Sequence, residues 1–264
     1  MQLRWLGVGG IELSVGGEVL AIDPYLTRVP FWRMGFGRVR PNRELVAARI
    51  PCCDFVLVTH AHVDHVMDVP AVAHNTGAMA LGSANTCRLL AVSGVPAGRI
   101  REIGVGDRFA LGKFQVEVLP ARHVAFPGWQ LFSGPLPSDL RLPLRARDYR
   151  MDGCFSFLIQ VGEYRFLHCP GPAVAADVLT VKPLEARPDY ASLLRDVRPR
   201  VVIPVHWDDF GRPLSRPIRS MVAPSGKLIP PLKRIDLPRF KHVIEQLAPA
   251  TRVLIPEMFH PYNL

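Results

Sequence analysis

Four separate apolar runs in this chain stop at a histidine. "DFVLVTHAHVDH" (54–65) reaches His60, "FQVEVLPARH" (114–123) ends at His123, "YRFLH" (164–168) at His168 and "RVVIPVH" (200–206) at His206. Runs rich in valine, leucine, isoleucine and phenylalanine read as buried strands. An ionisable side chain enters such a run only where it leaves the packed layer. For any one of these histidines alone, a hydrogen-bonded structural role is the plain alternative. Recurrence at four strand ends points instead to a site assembled from loops along one edge of a sheet.

The first of these ends is the densest. In an extended segment residues i and i+2 point the same way, so His60 and His62 can grip one ion together. Asp64 and His65 lie just beyond, at the turn into a helix, where they can face a second ion. Imidazole combined with carboxylate is the ligand mix of zinc, manganese or iron.

Around these ends the chain alternates strand and helix. Short strands fill the first 25 residues, with Gly9-Gly10 and Gly16-Gly17 as turns. A basic, aromatic loop (27–43) leads to a helix over 43–50, the strand before the histidines, and a helical stretch stopped by Gly77. Strand, helix (84–94, ending at Gly94) and strand follow, up to His123. Residues 127–147, rich in proline with apolar and basic residues interleaved, read as a long loop of the kind that serves as a lid or binding segment. Two strands come next, then 172–184 ("PAVAADVLTVKPL") with helical propensity, a strand ending at His206 and a last helix over 238–248. This alternation predicts a single α/β domain over residues 1–264, and 48% hydrophobic content is enough to fill it.

Composition removes several classes of function. No stretch approaches the roughly 18 unbroken apolar residues of a membrane helix, and "MQLRWLGVGG" lacks the layout of a signal peptide. Five cysteines without regular spacing do not make a disulfide framework, so a reducing cytoplasm is the expected location. The net charge of +9 favours anionic partners in general. Its arginines are scattered, and no nucleic-acid-binding signature accompanies them.

The heptad "THAHVDH" (59–65) resembles the HxHxDH signature of the metallo-β-lactamase-fold hydrolases, and the likeness extends over nearly the whole chain. "VLAIDPYL" is similar to the family's early strand ending in an aspartate, here Asp23, which buttresses the metal loop. "VVIPVHWDDF" is similar to its closing motif. The opening "WLGVGGIEL…IDPYL" and the "HW" after the last strand most resemble the branch that includes L-ascorbate-6-phosphate lactonase and N-acylphosphatidylethanolamine phospholipase D. The resemblance implies an αββα sandwich with the metal site at one edge of its two sheets. It implies a first metal on His60, His62 and His123, and a second on Asp64, His65 and His206. Between such ions lies a hydroxide, because a bound divalent ion lowers the pKa of water to about 7. Asp64 would accept the proton or orient the nucleophile.

One element departs from the pattern. The family usually places a metal-bridging aspartate after the strand corresponding to "YRFLH", in a sequence like "HSGD". Here the chain reads "FLHCPGPAVAAD", with no carboxylate before Asp177. Cys169 is the nearest candidate ligand, as a thiolate or else as a buried inert thiol. His168 is a candidate for orienting a ligand or the substrate. Without the bridge, the second site is expected to be weaker than the first, and one or two ions would bind.

The resulting expectation is a hydrolase that cleaves an ester, lactone or phosphoester bond in a small or amphiphilic anionic or lipid-like substrate. Arginines from 28–43 and 127–147 would meet the anion, and Trp129, Leu131 and Phe132 an apolar part. Cleavage of RNA or DNA ranks lower, and a non-catalytic metal-binding module is the remaining class. Di-iron oxygen chemistry is disfavoured because position 62 is histidine where that branch has glutamate. Relatives in this branch often form homo-oligomers.

Overall fold

The computed structural model describes residues 1–123, 129–169, 171–183, 189–222 and 234–264. Among them two seven-stranded sheets face one another. The first holds β1 (Gln2–Gly7), β2 (Gly10–Val15), β3 (Glu18–Ile22), β4 (Phe55–Leu57), β5 (Met79–Gly82) and β6 (Ile100–Glu102), with the C-terminal β14 (Pro261–Asn263) beside β1. The second holds β7 (Arg108–Leu111), β8 (Phe114–Pro120), β9 (Phe155–Val161), β10 (Tyr164–His168), β11 (Val178–Val181), β12 (Val201–Pro204) and β13 (Arg252–Val253). Each sheet is antiparallel on one side and parallel on the other. Pairing changes hand at β3 and β4 in the first sheet, and at β10 and β11 in the second.

Three apolar clusters define four layers. Leu3, Trp5, Leu20, Phe114, Phe157 and Ile203 meet between the sheets. On the outer face of the first sheet, Leu6, Ala21 and Val56 pack against α2 (Arg43–Arg49), α3 (Val63–Val66), α4 (Val69–Thr76) and α5 (Ala84–Val92). On the outer face of the second, Leu167, Leu179 and Val202 pack against α6 (Tyr190–Val197) and α7 (Leu237–Leu247). The central parallel strands are therefore covered on both faces and read as continuous apolar runs. Val56 of β4 points to the helices and its neighbour Leu57 to the other sheet. This is the αββα sandwich that the resemblance implied.

Three local readings need correction. The segment 172–184 holds β11 over Val178–Val181, not a helix. Its alanines favour a helix in isolation, but "VLTV" lies between β10 and β12 with all four residues buried, where β-branched side chains pack best. The basic loop 27–43 contains a short helix, α1 (Phe31–Phe36). The apolar stretch before His123 is a hairpin, β7 and β8, turned at Gly112 with φ 53°. The sequence reading also passed over α6, whose Leu194 and Val197 share the buried face. The five cysteines are free.

Candidate metal centre

The ligand residues follow the C-terminal ends of strands from both sheets. Asp23 directly follows β3. His60 lies just past β4, and His62 sits at the entrance to α3, which carries Asp64 and His65. His123 follows β8 and His206 follows β12. At this edge the sheets are tied by the backbone, as Phe155 N–H donates to Thr59 O (2.8 Å) and His206 N–H to Val8 O (2.7 Å). Asp23, Cys169 and His206 have positive φ of 45°, 47° and 57°. Left-handed backbone at three non-glycine residues of one edge is strain, of a kind that collects at functional sites.

Two triads result, each with its ligand atoms within 4.8 Å of one another: His60, His62 and His123, and then Asp64, His65 and His206. Each takes two residues from the first-sheet half and one from the second. In the first triad the three ring centroids form a near-equilateral triangle with sides of 4.7 to 4.8 Å. In the second, Asp64 Oδ2 lies 3.2 Å from His206 Nε2 and 3.5 Å from His65 Nε2. Rings of His60 and His65 approach to 3.9 Å, so the triads adjoin.

A second tier of contacts fixes these rings. Asp23, fully buried, accepts from Thr59 N–H (2.7 Å), from the Thr59 hydroxyl and from His65 Nδ1 (2.7 Å). Such a carboxylate–histidine contact leaves the other ring nitrogen of His65 free to face an ion. Thr59 Oγ1 also lies 2.9 Å from His60 Nδ1. His62 Nε2 donates to the carbonyl of Phe132 at 3.0 Å. A carbonyl only accepts, so Nε2 carries the proton and the lone pair lies on Nδ1. His60 Nε2 is buried and has no hydrogen-bond partner among the described residues. A desolvated lone pair held in place from the far side of its ring is what a metal ligand presents, and the residues fit a divalent ion.

Protonation follows the same geometry. Burial, reinforced by neighbouring histidines and by Lys182, holds His60 well below the usual imidazole range. Burial takes His62 down to about 4 and His123 to about 3, with Lys182 adding to both. The first triad is thus neutral and ready to ligate at pH 7. His65 goes the other way: burial opposes its charge, but Asp23 and Asp64 outweigh it and raise it to about 9. For Asp64 burial works upward, and His65 and His206 overcome it to keep the carboxyl well below its ordinary range.

His168 is fully buried at the end of β10 with Nδ1 3.0 Å from Thr180 Oγ1. Cys169 belongs to neither triad. It faces a small inner cavity together with His60, His65, His168 and Lys182. Burial raises its thiol, but His168 and Lys182 lower it further, to about 7. Asp177 lies elsewhere, accepting from Arg165 N–H (2.9 Å) and 3.4 Å from Arg200.

The triads open onto a larger cavity of about 470 Å³. Its wall carries His62, Asp64, His123 and His206 together with Phe31, Met34, Phe132, Phe210 and Met221. Segments expected to bring arginines bring apolar groups instead. Arg28 is buried against Asp208, and α1 presents Phe31 and Met34. Lys182 is the one lysine or arginine on the wall among the described residues. Of the long loop, 127 and 128 fall outside the described residues. The Trp129 side chain also lies outside them; Arg88 donates to the carbonyls of Leu136, Pro137 and Ser138, and Asn85 to that of Gly134 and, just past the loop, to that of Arg150. Phe132 lines the cavity while Leu131 is 69% exposed.

With this geometry in hand, comparison with known proteins is specific. Residues 19–187, more than half of the chain, match the beta-lactamase superfamily domain family. The chain belongs to the metallo-β-lactamase superfamily. It is 27% identical over 230 residues to a UPF0173 metal-dependent hydrolase of Symbiobacterium thermophilum, covering 80% of this chain and 85% of that one. It is 26% identical over 266 residues to another of Caldivirga maquilingensis, covering 99% and 97%. Among solved structures it shares its fold with Igni18, a metallo hydrolase of Ignicoccus hospitalis, at a TM-score of 0.61 and 18% identity over 100% of this chain and 98% of that one.

Sequence reasoning missed three parts of the site: Thr59, the Phe132 carbonyl and Lys182. Lys182 follows the apolar run "VLTV" as the histidines follow theirs. The rule that found them, extended to lysine, reaches it too.

Proposed function

We infer that the protein is a metal-dependent hydrolase, as its relatives are named. We propose that it cleaves an ester, lactone or phosphoester bond in a small amphiphilic substrate bearing an anionic group, the kind of substrate handled by the lactonase and phospholipase branch that its opening and closing motifs resemble. The observation that carries this reading is the setting of residues from both ligand triads, His62, Asp64, His123 and His206, in the wall of a cavity of about 470 Å³ whose remaining lining is apolar but for Lys182. A polyanion such as RNA would find one cation there rather than a basic track.

His60, His62 and His123 hold a divalent ion, zinc by the ligand chemistry, with manganese or iron also served by imidazole. When bound there, such an ion would supply Lewis-acid chemistry, lowering the pKa of water and polarising the electrophile. Asp64 is ionised and fixed between His65 and His206, so it would orient the attacking oxygen. Asp23 and Thr59 hold the rings of His65 and His60, and His168 supports Cys169 and Thr180 behind them. Phe31, Met34, Phe132 and Phe210 take the apolar part of the substrate and exclude water. Five free cysteines support a reducing cytoplasm as the location. Among the described residues no helix is long and apolar enough to cross a membrane.

The test is hydrolysis of p-nitrophenyl esters of increasing acyl length by untagged protein. Activity should vanish on chelation and in His60→Ala, return with added zinc or manganese, and show KM falling about fourfold per added methylene while the cavity fills, at ~0.8 kcal/mol each. Hydrolysis indifferent to chelator, or a KM indifferent to chain length, would refute the reading.

A further inference from the structure

The family's bridging aspartate falls three residues after the histidine of "HSGD", which here is Gly171. That position has no room for a side chain: a Cβ on Gly171 would sit 1.7 Å from the carbonyl oxygen of Pro120, on the segment that leads to His123. Backbone occupies the space, so a carboxylate does not enter the centre from this turn.

A cation enters instead from the next strand. Lys182 directly follows β11, between β10 with its His168 and β12 with its His206. Its side chain lines the outer cavity alongside His62, Asp64, His123 and His206. It also lines the inner cavity alongside His60 and His65. Residues of both triads therefore share walls with this one lysine. No carboxylate pairs with it within 4.0 Å among the described residues.

We propose that Lys182 serves as the second cation of this centre: one divalent ion sits on His60, His62 and His123, and the Lys182 ammonium beside it binds the anionic group of the substrate or its cleaved product. This rests on the metal-hydrolase reading above. A bridging carboxylate lets two divalent ions lie close by neutralising charge between them. Here the bridge is gone and a positive charge faces the same space, so like charges oppose a second ion. Asp64 and Asp23 pair with triad histidines, and their two charges do not offset two divalent ions and an ammonium. An ammonium also binds carboxylate and phosphate oxygens directly, and here it does so at the polar end of an apolar cavity.

The test is calorimetric titration of the chelator-stripped, full-length protein with zinc, and separately with decanoate, whose carboxylate and chain probe lysine and cavity together. Wild type takes one zinc equivalent. Lys182→Glu takes two, Lys182→Met gains a second event about tenfold or more tighter than any second event in wild type, and Cys169→Ala still takes one. Decanoate binding to the metal-free protein weakens about tenfold in Lys182→Met, whereas decanol binding does not change. Two tight equivalents in wild type would overturn the proposal and leave the hydrolase reading standing. No zinc in wild type would overturn both. Should Lys182→Glu fail to fold, Lys182→Met decides: zinc and decanoate binding like wild type refutes the role.

Discussion

Replacing Asp23 with asparagine changes one charge and almost no volume, at a residue that no solvent reaches. Three donors converge on its two oxygens: Thr59 N–H on Oδ1, and the Thr59 hydroxyl and His65 Nδ1 on Oδ2. An asparagine has one oxygen, so its amide N–H groups must face at least one of those donors. The larger effect is electrostatic. Burial opposes charge on His65, and Asp23 with Asp64 overcomes it to raise its pKa from 6.5 to about 9. At about 1.36 kcal/mol per unit, this differential binding of a proton amounts to about 3 kcal/mol. Its sign follows from the direction. A raised pKa in the folded state stabilises fully below 6.5, and the stabilisation is lost as pH rises through 9. Urea unfolding with EDTA present, followed by circular dichroism, should therefore show Asp23→Asn less stable than wild type by about 3–5 kcal/mol at pH 6, the cost of breaking a buried pair. The gap should shrink between pH 6 and pH 9 by up to about 3 kcal/mol, less whatever part of the shift Asp64 sustains in both proteins. Other titrating groups are common to both proteins and cancel in the difference. A gap that stays constant from pH 6 to pH 9 would refute the pairing.

Two further changes probe the frame of the site. Gly171→Ala puts a methyl group into the Pro120 carbonyl, so it should cost about 1–3 kcal/mol by forced backbone movement. Thermal melting reads this as a fall in Tm, and an unchanged Tm would mean that the turn yields freely. Arg28→Met leaves Asp208, fully buried, without its guanidinium. Asp208 also accepts from Val8 N–H at 3.0 Å, so denaturant unfolding should show a loss of about 3–5 kcal/mol, and a loss under 1 kcal/mol would show that the pair contributes little.

The sequence displayed the parts of the centre that follow from periodicity and residue type. Apolar runs ending in histidine marked His60, His123 and His206, which the structure brings into two triads, but also His168, which belongs to neither; the grouping followed from the family resemblance, and the i, i+2 spacing of His60 and His62 put those two on one side of the chain. What remained hidden depends on neighbours far along the sequence. Whether "VLTV" becomes strand or helix is settled by β10 and β12 on either side, not by its own propensity. Arginines of 28–43 look like an anion site in a linear reading, yet Arg28 is consumed by Asp208, 180 residues away. The Phe132 carbonyl that orients His62 comes from backbone, which composition does not mark. Gly171 looks permissive in a list of residues, and only the path of Pro120 shows that it is obligatory.

Each triad draws two ligands from one half of the sandwich and one from the other. An ion held there works as a rivet through the seam: pulling the sheets apart means breaking its bonds to one side. Metal affinity thereby becomes cohesion between halves that otherwise meet through the inter-sheet core and a few edge hydrogen bonds, and it grows with the logarithm of free ion concentration. A cell's supply of the ion then sets not only whether this protein acts but how long it lasts, since the same act that arms the site locks its two halves together.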